Sequence, residues 1–467
     1  MPGYVEDRWW TKRPDPATGK KRKTALYGKG KRYKVTGIPG VRARSFDAKG
    51  DADKWKARAQ AQSLAGEFVD PRAGKVLLRE YVESDWWPAL TADPATLETI
   101  RGRVWTHVLP HLGELPIREI KVATLRIWLK TLEGKIGPGT ANAVWAYLSN
   151  ILECAVDDEK ITRNPCKAKT ISPPKVPERK ARAWSRQQVA AVQAALPERF
   201  RIMVDLGVGA GLRQGEVLGL SVDDIDFQAG FLRVRRQVKK VGGALIFALP
   251  KGGKTRSVPL PGYLARQLKA HLGAFPPRDS TLPWGDPAIP ETERQAKERA
   301  PQTHRLVVTS TRGHVIRRDS WNLRSWKPAL AAAGVINDGA VVVRPHRTRP
   351  GGRKVLQFES SREHGFHSLR HTFASVQLDA RESIVSVSNW LGHANPSITL
   401  RIYAHMMPEA DGRGRAAMDL WFEGNPKKIS PDSPSGPIGL APGDLDDIPV
   451  EVSVAPQRTP TLAKASR

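Results

Sequence analysis

Cysteine is nearly absent: Cys154 and Cys166 are the only two in 467 residues. A disulfide framework and a cysteine-built zinc cluster are therefore both excluded. No run approaches the roughly 18 consecutive apolar residues that a membrane span needs. The opening MPGYVEDRWW lacks the apolar stretch of a secretory signal, so the chain is expected to stay in a reducing cytoplasm, with no membrane association. Acidic residues are scarce as well: 47 Asp and Glu face 75 Lys and Arg, a formal charge of +28. A surplus of that size repels itself unless a polyanion is the partner, and nucleic acid is the leading candidate.

What is present divides the chain into a multidomain order. Residues 1–70 alternate short aromatic or β-branched stretches with basic turns (RWWTKR, KRYKV, VRARSF), which reads as a small β module carrying Lys21, Arg22, Lys23, Lys31 and Arg32 toward a phosphate backbone. A helix closes it, with Trp55, Ala59 and Leu64 spaced along one face. Residues 75–166 switch to helical periodicity broken by Pro and Gly, as in ATLETIRGRVWTHVLPHL and TANAVWAYLSNILECAVDD, giving an all-α domain whose tryptophans are mostly core. Residues 167–183 are an extended basic linker. A mainly α, mixed α+β domain occupies 184–412 and opens on a Ser185 helix cap. Residues 413–467 read as a largely disordered tail, in which AAMDLWF has the pattern of a short amphipathic helix. Within the large domain, 275–303 and the basic RPHRTRPGGR at 344–353 look like insertions, and Arg347 and Arg349 are candidate phosphate contacts.

The chemistry lies in islands of the large domain. In GAGLRQGEVLGL, Arg213 opens a helix and Glu216 stands one turn on, placed to hold it. The glycines there lack the third glycine and the preceding strand that a dinucleotide loop requires. In IFALPKGGKTRSVPL, Lys251 sits beside a Gly-Gly turn between strands. In HGFHSLRHTFAS, His367 and His371 share one helix face, so a zinc pair has to be considered. The metalloprotease glutamate is missing, no third ligand is evident, and Arg370 lies between the two, which suits an anionic oxygen better. His393 in LGH and Tyr403 complete the set.

GLRQGE, the lysine hairpin, HSLRHTFAS, LGH and the late tyrosine, in this order, resemble the signature of tyrosine recombinases, the integrase family of phages and mobile elements. The two upstream domains are similar in pattern to arm-binding and core-binding (SAM-like) domains. The resemblance implies a metal- and ATP-independent site-specific recombinase with no cofactor. Arg213 and Arg370 would hold the non-bridging oxygens of a DNA phosphodiester, His393 would hydrogen-bond one of them, and Tyr403 would attack. His367 would take the phenolic proton and Lys251 would protonate the departing 5′ oxygen, leaving a 3′-phosphotyrosyl link. It also implies a homotetramer on double-stranded attachment-site DNA in the nucleoid of a bacterial host, with an excisionase and a host DNA-bending protein as possible partners. His371 reads as structural. A catalytically silent DNA-binding protein and a type IB topoisomerase-like enzyme are the rival readings.

Overall fold

The computed structural model describes residues 3–16, 18–64, 73–177, 181–346, 349–358, 363–407 and 413–422. The N-terminal module is a three-stranded antiparallel sheet, β1 (Tyr4–Asp7), β2 (Tyr33–Thr36) and β3 (Arg44–Phe46), in that order, with Val5 opposite Val35 and Tyr33 opposite Phe46. Helix α1 (Lys49–Leu64) covers it, burying Ala52 and Ala59 against Val35 and Ile38, with Trp55 alongside. Leu64, expected on that face, is exposed instead; the contact stripe is set by Ala52, Trp55 and Ala59 and has ended before the helix does.

The helical domain begins with α2 (Leu78–Tyr81), which runs through a π-turn at Val82–Trp86 into α3 (Trp87–Ala89). Next come α4 (Pro94–His107), capped by the Asp93 carboxylate on Ala95 N, and α5 (Leu109–Leu112). Then follow α6 (Val122–Glu133) and α7 (Pro138–Asp157). Their apolar faces meet in one core that buries Trp86, Trp128 and Trp145 beside Leu125, Leu148 and Leu152. The start of α4 faces the large domain. Its Ala95 packs on Val241, Ile246 and Ala248 of the large domain, Asp93 pairs with Lys239 at 3.0 Å, and Glu98 accepts from Gly242 N at 3.2 Å.

In the large domain, Ser185 and Gln188 form the capping box that starts α8 (Arg186–Ala195). Helix α9 (Glu198–Gly209) leads into α10 (Gln214–Leu218). Strand β4 (Ile225–Asp226) pairs with β5 (Phe231–Val234), which pairs with β8 (Arg256–Pro259); the hairpin β6 (Gln237–Val241) and β7 (Ala244–Ala248) lies between them in sequence. After α11 (Gly262–Ala274), the segment expected as an irregular insertion forms the strand pair β9 (Arg278–Leu282) and β10 (Gln302–Leu306), with α12 (Glu293–Glu298) in the connection. Helix α13 (Arg318–Trp321), a π-turn at Asn322–Trp326 and α14 (Lys327–Ala332) follow as one stretch.

The basic stretch read as a loop at 344–353 belongs to a second hairpin, β11 (Ala340–His346) with β12 (Arg349–Gln357); the β-branched and apolar runs Val341–Val343 and Val355–Leu356, paired across the strands, override the turn-like composition. Helices α15 (His367–Asp379), α16 (Ile384–Leu391) and α17 (Pro396–Tyr403) complete the domain. Its core gathers α9 and α15 around Leu206, Leu369 and Phe373. Part of the segment expected to be disordered is helical, as α18 (Arg413–Phe422). The rest of that segment lies outside the described residues.

Candidate active site

Two glycine turns bring the site together. Gly211 ends the α9 turn with φ +62°, and a Cβ there would meet the Phe373 ring at 2.6 Å. Only glycine allows both the left-handed backbone and this approach of α15. Gly392, the left-handed residue ending α16, is likewise closed in, with a Cβ position 3.0 Å from Arg256 Cδ. The guanidinium of Arg370 spans the two turns, donating to Gly211 O at 2.7 Å and to Leu391 O. Arg213 Nη2 donates to Gly392 O at 3.4 Å.

A buried carboxylate balances these cations. Glu216, at the third position of α10, accepts from Arg213 N at 2.8 Å and Arg213 Nη1 at 2.9 Å, and from both Nη atoms of Arg256 at 2.9 and 2.7 Å. Burial alone would raise its pKa, but Arg256 and Arg213 outweigh that and hold it at about 2. Arg256 also donates from Nε to Trp390 O at 2.6 Å, tying β8 to the end of α16. The helix-turn contact between Arg213 and Glu216 is legible in the sequence. Arg256 was missed, although it lies in the same island as Lys251.

Arg370 is 1% exposed and its Nε–H is buried with no hydrogen-bond partner. Burial, then the neighbouring Arg213, lower its pKa to about 9, which still leaves it cationic at neutral pH. A buried cation with an unused donor is costly unless an acceptor completes it. His393 follows Gly392 directly, and its Nδ1 lies 2.8 Å from Thr399 Oγ1, leaving Nε2 for another partner. Burial first, then Arg370 and Arg213, push its pKa down to about 4.

Tyr403 is 1% exposed, and its hydroxyl lies 2.8 Å from Nδ1 of His371. From the sequence His371 reads as structural; the helical spacing that puts it on the face of His367 also puts it against the tyrosine. Burial raises the Tyr403 pKa to about 12, with Arg370 and Arg213 pulling the other way. Burial and Arg370 lower His371 to about 4. The His367 ring stands edge-to-face with that of His371, centroids 4.8 Å apart. His367 is open to solvent on one side; packing around the rest of the ring, then His371 and Arg370, lowers its pKa too. Among the described residues no group of three or more His, Cys, Asp or Glu could hold a metal ion.

Lys251 is exposed on the turn between β7 and β8, at Gly252 and Gly253 with φ +90° and +72°, and hydrogen-bonds to none of these residues. A cavity of about 1230 Å³ opens over the site. Arg213, His367 and His371 line it together with Arg182, Lys239, Lys240, Arg317 and Arg318, against the carboxylates of Glu98, Asp319 and Glu363.

In the N-terminal module, Arg32 is committed to Asp7 at 2.9 Å and lies over the rings of Tyr33 and Trp9, so it supports the sheet. Lys23 sits over Tyr27 and Lys31 pairs with Asp47 at 3.6 Å, while Lys21 and Arg22 are exposed, Arg22 pairing with Asp15. Arg347 lies outside the described residues, and Arg349 is placed only as the first residue of β12.

Residues 75–170 match the family model of the phage integrase central domain, and residues 185–349 match that of the phage integrase family. A XerC-like tyrosine recombinase of Caldanaerobacter subterraneus is 31% identical over 339 residues, covering 68% of this chain and 76% of the relative. The integrase of Mycobacterium phage L5 is 27% identical over 368 residues, covering 77% of this chain and 85% of its own length. Among solved structures, the Tn1549 transposon integrase in complex with circular intermediate DNA covers 73% of this chain and 99% of its own, with a TM-score of 0.53 and 15% identity. A lambda integrase tetramer bound to a Holliday junction covers 88% and 97%, with a TM-score of 0.50 and 15% identity. At that identity these two structures speak for the fold. No described helix is long and apolar enough to cross a membrane. The chain belongs to the tyrosine recombinase family of phage integrases.

Proposed function

We infer that this chain is a site-specific DNA recombinase that cleaves and rejoins duplex DNA through a 3′-phosphotyrosyl bond to Tyr403, integrating or excising a mobile element. The observation that carries this reading is the buried, cationic Arg370 with an unsatisfied Nε–H, set beside Arg213 under a basic cavity, one residue away from the histidine that touches Tyr403. A phosphodiester supplies the acceptors that Arg370 lacks. Charge grows on the non-bridging oxygens as the tyrosine attacks, so guanidiniums fixed in advance stabilise the transition state more than the ground state. Bidentate geometry and a persistent charge favour arginine over lysine there.

In this reading Nε2 of His393 donates to a phosphate oxygen, and Lys251, on its exposed turn, closes onto the departing 5′ oxygen and protonates it. The N-terminal sheet takes a second, arm-type DNA site. Four active sites are needed to exchange four DNA ends, so the chain works as a homotetramer on attachment-site DNA in a bacterial nucleoid, aided by an excisionase and a DNA-bending protein. The test is a nicked duplex from the sequence flanking the gene, incubated with wild type and Tyr403→Phe. A denaturant-resistant adduct from wild type alone supports the reading. Tight binding with no adduct from either would mean a DNA-binding protein without the chemistry.

A further inference from the structure

The phenolic proton of Tyr403 has two imidazoles within the site to receive it, and the geometry separates them. His371 Nδ1 is 2.8 Å from the hydroxyl, the direct hydrogen-bond distance. His367 occupies the cavity end of α15, one helical turn from His371, with its ring set edge-to-face against that of His371. We propose that His371 is the general base for Tyr403, and that His367 serves the phosphate instead. The proposal rests on the recombinase reading.

In the step, the Tyr403 oxygen forms a bond to the scissile phosphorus while the bond from phosphorus to the 5′ oxygen breaks. The phenolic proton passes to Nδ1 of His371, and the 5′ oxygen takes a proton from Lys251. For Nδ1 to accept, His371 must carry its own proton on Nε2, the tautomer in which the phenol is the hydrogen-bond donor. The buried Arg370 beside it opposes an imidazolium before substrate arrives, so the ring waits as a neutral acceptor. A bound phosphodiester brings negative charge against the same arginines, and that favours the protonated ring at the moment it is needed. Burial first, then like charge from His371, Arg370, Arg213 and His393, lowers the His367 pKa as well, so its ring is also neutral and the distance to the hydroxyl is what selects His371.

The experiment measures single-turnover adduct formation on the nicked duplex across pH for wild type, His371→Gln, His371→Ala and His367→Gln. Each is also prepared with a fluorinated tyrosine of lower pKa at position 403. Glutamine keeps an acceptor for the phenol but cannot take its proton. Its DNA affinity should match wild type, which separates a lost base from a lost fold. His371→Gln is expected to slow adduct formation by roughly 10²- to 10³-fold, a usual general-base contribution. It should also recover more from the fluorinated tyrosine than wild type or His367→Gln does, and its rate should rise with pH as the phenol itself ionises, whereas the wild-type ring, neutral above about pH 4, keeps a flatter profile. Wild-type rates in His371→Gln, or equal gains from the fluorinated tyrosine in every background, overturn the proposal. An inert wild type overturns the recombinase reading along with it, whereas an active wild type with an unaffected His371→Gln overturns this inference alone.

Discussion

Replacing Glu216 by Gln should loosen the turn that carries Arg213 while removing none of the side chains assigned to the phosphate. The carboxylate side chain has no solvent exposure and meets Arg213 and Arg256 at 2.7–2.9 Å. Holding a carboxyl at about 2 instead of its ordinary 4.5 corresponds to about 3 kcal/mol of stability at neutral pH. Leaving buried guanidiniums uncompensated costs about 3–5 kcal/mol in comparable cases. The two routes agree on roughly 3 kcal/mol. Because the folded pKa is depressed, this contribution is present in full above the unfolded value and is lost as pH falls through about 2, so the gap between wild type and variant should shrink to roughly half near pH 3. A multidomain chain has no single unfolding free energy, so the measurement is local: hydrogen exchange of the peptide spanning α9 and α10. An opening free energy within about 1 kcal/mol of wild type at pH 7, or a gap that widens on acidification, would refute the view that Glu216 holds the two arginines.

Gly211→Ala meets both a left-handed backbone and the Phe373 ring at 2.6 Å, so the opening free energy of α9 by hydrogen exchange should fall by about 2 kcal/mol or more. Gly230→Ala, with φ +71° and open space around its Cβ position, should lose less. His371 and His393, each lowered from 6.5 to about 4, stay neutral in the fold. The unfolded chain takes up their protons first, so stability should begin to fall below pH 6.5 and continue falling to about pH 4, by up to about 3 kcal/mol per imidazole. Melts of the His371→Gln, His393→Gln double variant should show a shallower slope over that window; an unchanged slope would remove these two rings as its cause. Asp93→Ala removes both the α4 cap and the exposed pair with Lys239. About 1 kcal/mol should be lost through the cap, with a smaller, salt-sensitive part from the ion pair, visible as faster protease nicking of the helical domain in low salt.

The order of elements was largely legible because it is written in local patterns. The Ser185–Gln188 capping box, the glycine-proline start of α7 and the alternation in β1 to β3 depend on neighbours in the chain. The strand pairs at Arg278–Leu306 and Ala340–Gln357 were less legible, because charged and proline-rich turns mask strands whose partners stabilise them only once they pair. Leu64 shows the same limit: helical spacing names a face, but the length of the sheet beneath decides where contact stops.

For the site, the residue types by themselves pointed to an anionic oxygen, because two arginines and paired histidines suit one better than a metal; the tyrosine nucleophile came from the family resemblance. Tertiary structure decided what each of them touches. Arg256 joins Arg213 through Glu216 across 40 residues, and Arg370 reaches carbonyls 159 and 21 residues away, distances no sequence window spans. His371 looked structural because it lies one residue past Arg370 and adjoins the apolar Phe373 side of its helix; it meets Tyr403 only because α17 returns its last turn, 32 residues later, against α15. Local periodicity determines which face a side chain occupies, but the packing of distant helices determines what that face touches.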